Sequence, residues 1–116
     1  MEYQFTRTEM LIGKDSLEKL QQASVAIFGI GGVGSYVVEA LARVGVGNLD
    51  LIDNDDINVT NINRQIIALN STVGNSKVEV AKERILDINP WVNVRIYKTF
   101  LHQKHLKNLI FLNMIM

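Results

Sequence analysis

The chain has 116 residues, 47% hydrophobic and 21% charged, with 12 Lys and Arg against 12 Asp and Glu and a single proline. That balance excludes two full domains and a disordered chain, and the net charge of zero argues against a dedicated nucleic-acid module while leaving room for an enzyme acting on RNA. Zero cysteines exclude a disulfide scaffold and a cysteine nucleophile. No apolar run approaches the ~18 residues of a membrane span and the start MEYQFTRTEMLIG lacks a signal peptide's pattern, so a cytoplasmic protein with no membrane partner is expected.

Asp15, followed by Glu18, fits an N-cap with a carboxylate three residues on, and predicts a short helix with Leu17 and Leu20 on one face before Ser24. Val25 to Phe28 is a brief apolar run that stops at Gly29 and suits a strand buried on both faces. Val33 to Val44 is rich in helix formers, with Val37, Leu41 and Val44 at helical spacing and Gly45 as a C-terminal stop. Leu49, Leu51 and Ile52 predict a second strand, which runs into Asp53, Asp55 and Asp56 and then a polar loop. From Ser76 to Ile88, the positions Val78, Ala81, Ile85 and Ile88 fall on one helical face, and Pro90 prevents continuation. Val92, Val94 and Ile96 then alternate with Asn93, Arg95 and Tyr97, the period of a half-covered strand. Strands separated by helices define an α/β class: a Rossmann-like parallel sheet with flanking helices and right-handed crossovers.

Gly29-Ile30-Gly31-Gly32-Val33-Gly34 reads G-x-G-x-x-G between a predicted strand and a predicted helix. Gly29 allows the tight turn, Gly31 lets a phosphate approach the backbone, and Gly34 lets helix pack on strand. Exposed N–H groups and the helix dipole then attract an anion; the alternative is that the glycines merely permit close packing. Asp53 lies 24 residues after Gly29, where a carboxylate accepts hydrogen bonds from ribose hydroxyls, whereas Asp50 and Asp56 read as ordinary loop acids. Asp53 alone does not separate NAD from ATP. The stretch Thr60-Asn61-Ile62-Asn63-Arg64-Gln65 does more, together with Lys77: Arg64 binds phosphate oxygens bidentately and Lys77 supplies a point charge. A diphosphate bridge is served by the glycine loop, while a triphosphate needs further cations, which tilts the reading toward ATP. The alternative is that Arg64 and Lys77 form solvated ion pairs with Asp55, Asp56 or Glu79.

The runs GIGGVGSYVVEALARVGVG, LIDNDDINVTNINRQI, TVGNSKVEVAKERI and INP, in that order over about Phe5 to Pro90, resemble the nucleotide-binding half of the ThiF-type, ubiquitin-activating-enzyme-like superfamily. Within it, ALARVGVG with VTNINRQI most resembles the tRNA threonylcarbamoyladenosine dehydratases. The resemblance implies ATP and Mg²⁺ as cofactors, a homodimer, and tRNA as substrate. It implies a nucleotide site of Gly29, Gly31, Gly32 and Gly34, with Asp53 on the ribose, Asp55 also in the site, and Asn61, Arg64, Gln65 and Lys77 on the nucleotide and its phosphates. It also implies that Arg7 reaches the neighbouring subunit's triphosphate, which makes Arg64, Lys77 and Arg7 the catalytic groups. On the sequence alone, Arg7 reads equally as part of an exposed terminus.

The implied reaction is attack of a substrate carboxylate on the α-phosphate of ATP, giving an acyl-adenylate and pyrophosphate. In the dehydratases the activated threonylcarbamoyl group then closes to a cyclic product; in the sulfur-carrier enzymes the carboxylate is the C-terminal glycine of a ubiquitin-like carrier protein. The carrier enzyme is the alternative assignment, with an NAD-binding oxidoreductase or a non-catalytic remnant more distant.

The chain departs from the family in its last part. Family members bind Mg²⁺ through a later aspartate, but no Asp or Glu follows Asp87, so no residue is assigned to metal and impaired adenylation is expected. Ile67 stands where the dehydratases commonly carry histidine. The expected division is a nucleotide-binding region over 1–100, an incomplete nucleotide-binding half, and a divergent or truncated tail over 101–116. His102 and His105 read as surface decoration, Met114 and Met116 as terminal hydrophobes, and the apolar tail as cover for a sheet face or a driver of association.

Overall fold

Two helices precede the first strand where the sequence predicts one. The computed structural model describes residues 3–99, and the tail 101–116 with its two histidines lies outside the described residues. Helix α1 (Thr6–Ile12) and helix α2 (Lys14–Gln22) are separated by Gly13, whose φ of 86° reverses the chain where a Cβ would be strained. That turn starts α2 two residues earlier than expected, with Gly13 rather than Asp15 at the N-cap position. Asp15 is therefore not the N-cap: it sits in the first turn, where its charge suits the helix dipole, and no side chain caps the end.

Strand β1 (Ser24–Phe28), helix α3 (Gly34–Val44), strand β2 (Asn48–Ile52), a 3₁₀ turn (Val59–Asn61), helix α4 (Lys77–Ile88) and strand β3 (Asn93–Tyr97) follow. The strands form a parallel sheet in the order β1-β2-β3, with Ile27 level with Leu51 and Leu51 level with Ile96. Each crossover carries a helix, α3 and α4 pack on each other, and right-handed connections put both on one face. Ile27, Leu49, Leu51 and Val94 of the sheet meet Val38, Ala42, Ala81 and Ile85 of those helices in one buried cluster. Burying each Val, Leu or Ile side chain among them contributes about 1.5–3 kcal/mol.

Two expectations about burial change. β2 is buried from Leu49 to Ile52, but in β1 only Ile27 is, because among the described residues β1 stands at the sheet's edge. α3 presents Ser35, Val38 and Ala42 inward, while Val37 is 39% exposed. Leu41 and Val44 pack against the core cluster as expected, so Val37 alone of the three positions is turned outward. A Cβ on Gly34 would lie 1.9 Å from the Gly29 carbonyl oxygen, so the glycine contact sets how the helix is rotated. At the other end Gly45, with φ 103° and ψ 19°, provides the left-handed cap expected of it.

Asp50 is not a loop acid. It lies in the middle of β2, 2% exposed and level with Arg95 of β3, whose Nε and Nη2 donate to its two oxygens at 2.7 and 3.1 Å. That hydrogen bond raises the Arg95 pKa. Asp56 does lie in the loop, where Lys98 donates to it at 2.8 Å; this bond raises the Lys98 pKa.

Candidate nucleotide-binding site

All three strands point the same way, so the loops leaving β1 and β2 emerge together at the carboxyl edge of the sheet, the position where open α/β sheets form a ligand crevice. Gly29 turns with φ 93° and its N–H donates to the Ile52 carbonyl at 2.8 Å. Asp53 ties the two loops together: Oδ2 accepts the Ile30 N–H at 2.7 Å and Oδ1 the Asp55 N–H at 2.7 Å. An ionised carboxylate has about four acceptor positions, so Asp53 retains capacity for hydroxyl donors from outside.

The loop after β2 is folded by its own asparagines. Asn61 Oδ1 accepts the Asn58 N–H at 2.8 Å and Asn58 Oδ1 accepts the Thr60 N–H at 2.9 Å, so Asn61, named as a nucleotide contact, has its oxygen engaged in a capping box. The N–H groups of Arg64 and Gln65 both donate to the Asn61 carbonyl, and the resulting turn carries these two residues back over the glycine loop. A Cβ on Gly31 would lie 3.9 Å from Gln65 Nε2, and one on Gly32 would lie 3.9 Å from Arg64 Cγ. Gln65 is 6% exposed and its Oε1 has no hydrogen-bond partner; the buried hydroxyls of Ser35 and Ser76 are also unpartnered.

The two cations differ. Arg64 is exposed and donates only locally, to Thr60 O and Asn63 Oδ1 at 3.0 Å, without an ion pair to Asp55, Asp56 or Glu79 among the described residues. Lys77 opens α4 with its side chain 7% exposed, and its Nζ lies 3.9 Å from Asp55 Oδ2. Its main-chain N–H donates to the Asp55 carbonyl at 3.1 Å, so Asp55 anchors the start of the helix. A buried ammonium at that distance from one exposed carboxylate is poorly compensated.

These groups suit a polyanionic nucleotide. The backbone at Gly31 and Gly32 is open, an amide oxygen and buried hydroxyls lack partners, Arg64 lies beside the loop, and Lys77 lies next to Asp55, whose N–H is held by Asp53. Among the described residues no group of three His, Asp or Glu could hold a metal ion.

Two residues named from the sequence stand apart. Gln4 donates to the Ile88 carbonyl at 2.9 Å and the Phe5 ring lies 6.2 Å from that of Trp91, which fixes the start of α1 at the amino edge of the sheet. The exposed Arg7 on α1 is therefore not brought to the glycine loop of its own chain. Ile67 is 3% exposed and belongs to the apolar cluster. The sequence reading missed the apolar residues bordering the loop. Val33 is 80% exposed and Tyr36 54%. Their helical spacing was the available signal, but it reads equally as a core stripe.

The ThiF family profile matches residues 5–113, which takes in most of the segment beyond residue 100. A tRNA threonylcarbamoyladenosine dehydratase of Bacillus subtilis (strain 168) is 54% identical over 100 residues, covering 86% of this chain and 39% of the relative. The protein of that description from Escherichia coli (strain K12) is 49% identical over 96 residues, covering 83% of this chain and 36% of the relative. The crystal structure of the E. coli tRNA N6-threonylcarbamoyladenosine dehydratase TcdA in complex with ATP matches with a TM-score of 0.91 and 43% identity, over 95% of this chain and 45% of that one. This chain thus spans less than half the length of these relatives. Because the family match takes in the glycine loop, Asp53 and the stretch from Arg64 to Lys77 together, the chain belongs to the ThiF family.

Proposed function

We propose that the protein binds ATP at the carboxyl edge of its sheet and uses it to adenylate a carboxylate, that of the threonylcarbamoyl group on a tRNA adenosine, which then cyclises with loss of water. The observation that carries this reading is the placement of Arg64 and Gln65 against Gly31 and Gly32 with the buried Lys77 nearby, a larger set of phosphate-seeking groups than a dinucleotide's diphosphate needs. The glycine N–H groups hold the phosphates and Asp53 the ribose. Arg64 and Lys77 stabilise the charge that develops as pyrophosphate leaves, acting through position and electrostatics rather than proton transfer. When bound, ATP supplies the leaving group that a free carboxylate lacks. Mg²⁺, which takes one or two carboxylates and otherwise phosphate and water, enters with the nucleotide. The active form is a homodimer in which Arg7 serves the neighbouring subunit, and the cytoplasm, where tRNA is modified, is its compartment.

Pyrophosphate release tests this. Release that requires both ATP and a tRNA carrying threonylcarbamoyladenosine is the expected result. Release that instead follows a ubiquitin-like sulfur carrier assigns the carrier alternative. No release, with ATP bound, overturns the catalytic part.

A further inference from the structure

We infer that the cavity at the amino edge of the sheet is a second ligand site, one that takes an unstacked nucleobase. It lies between the start of α1, the end of α2 and the turns that lead into β2 and β3, and its volume is about 570 Å³. Small-molecule sites span roughly 300–1,000 Å³. The carboxyl-edge site is a full strand away: each strand has 5 residues, which at about 3.3 Å per residue puts roughly 17 Å of sheet between the two. The walls are set by the fold itself. Phe5 is 3% exposed and two exposed rings flank it, Tyr3 edge-on at 5.9 Å and Trp91 at 6.2 Å. Trp91 is 69% exposed, yet its backbone is pinned, because Asn89 Oδ1 accepts its N–H and the Asn93 N–H donates to the Gly47 carbonyl at 2.8 Å. Gly45 and Gly47 border the cavity without side chains, and at Gly47 a Cβ would strike the Gln21 carbonyl.

The lining selects the ligand. Among the described residues no charged side chain borders the cavity, so the group it receives is neutral. Exposed aromatic faces suit the stacking of a flat ring. Carboxamides hold a donor and an acceptor side by side, the combination that base edges present. The buried amides beneath are spent on the fold: Asn48 and Asn89 donate to the carbonyls of Ala23 and Ala42. The rim is not. Asn93 is exposed and its Nδ2 reaches Asn48 Oδ1 only at 3.5 Å, and the Gln21 side chain on the opposite rim is exposed as well. A flat neutral ring with donors and acceptors along its edge answers all three features, and any phosphate attached to it stays in solvent. This is how single-stranded RNA bases are held, by stacking on aromatic side chains and hydrogen bonds to their edges. The choice of a base over another such ring rests on the proposed RNA substrate; the cavity does not. A base in an RNA strand and a free nucleoside share this chemistry.

Trp91 is the chain's single tryptophan, so its fluorescence reports on this cavity. The full chain is titrated with hexaadenylate RNA, with an abasic hexamer of equal charge, and with adenosine. Saturable quenching is expected with hexaadenylate, and affinity at least tenfold weaker with the abasic strand. Asn93→Ala keeps the indole and should lower the affinity about fivefold with the urea midpoint unchanged. Quenching by the hexamer alone assigns an RNA strand as the source of the base, and equal affinity for adenosine assigns a free nucleoside. No saturable quenching by either, equal affinity for the abasic strand, or indifference to Asn93→Ala overturns the proposal. Excess ATP should leave the quenching unchanged; its loss would place the base at the carboxyl edge and overturn the proposal too. Quenching in a chain that releases no pyrophosphate would remove the proposed reaction and leave this site standing.

Discussion

At the amino edge of the sheet Asn89, 2% exposed, donates to the Ala42 carbonyl at 3.2 Å and accepts the Trp91 N–H at 3.2 Å, while the half-buried Asn48 donates to the Ala23 carbonyl at 3.1 Å. At the carboxyl edge Gln65 Oε1 and Ser76 Oγ are buried without partners, and Lys77 is enclosed with a single carboxylate 3.9 Å away. A buried polar group left unpaired costs about 1–3 kcal/mol, so one edge spends its polar groups on folding and the other holds them open at the expense of stability. Substitutions at the amino edge should therefore be read in unfolding. At the carboxyl edge the main readout should be binding, except where a residue also supports the backbone.

Glycine substitutions give the largest expected effects and test the exception. A Cβ on Gly34 would lie 1.9 Å from the Gly29 carbonyl oxygen and one on Gly47, at the amino edge, 1.7 Å from the Gln21 carbonyl oxygen. Gly34→Ala and Gly47→Ala should each cost about 3 kcal/mol in urea unfolding, because backbone must move to admit the methyl. Gly31→Ala meets nothing nearer than Gln65 Nε2 at 3.9 Å, so it should unfold like the parent and lose ATP affinity. If Gly31→Ala is instead as destabilising as the other two, the loop is shaped for packing alone.

Asp50→Ala is next. It leaves the partly exposed Arg95 without the carboxylate that accepts its two N–H groups and should cost about 2 kcal/mol, measurable by the shift in urea midpoint. Glu39→Gln should cost about 1 kcal/mol at neutral pH. The hydrogen bond from Arg84, then that from Arg43, holds the Glu39 carboxyl below its ordinary value. A lowered folded pKa means stability that is present above the unfolded value, about 4.3, and is lost as pH falls through the folded one. Acid unfolding of Glu39→Gln should lack that part of the dependence; identical acid profiles would remove the pair from the account. The smallest stability change is expected at Lys77→Met, within about 1 kcal/mol of the parent or above it, since replacing a poorly compensated buried charge by an apolar side chain is often neutral or stabilising.

How much of this was legible follows from which physics each feature obeys. The three strands and both crossover helices follow apolar period and glycine stops, and the inward positions Val78, Ala81 and Ile85 of α4 were readable because its other faces are polar. On α3 Leu41 and Val44 pack against the core as the period predicts, but Val37 does not, because the helix is apolar on two faces and a close backbone approach at Gly34, invisible to periodicity, sets its rotation. The Asp50–Arg95 pair depends on strand register, which no local pattern carries. In the site, the glycine loop and Asp53 were legible from a strand-to-helix context. The turn that folds Arg64 and Gln65 back over Gly31 and Gly32 was not, since it rests on a capping box between Asn58 and Asn61 inside a stretch that reads only as polar loop.

Calorimetric titration of the full chain with ATP and, separately, NADH tests the assignment of the carboxyl edge most directly. The account predicts saturable heat with ATP, at least a tenfold loss of affinity in Lys77→Met and Arg64→Ala with folding intact, and no heat with NADH. Binding of NADH in preference to ATP, or ATP affinity indifferent to both substitutions, would contradict it.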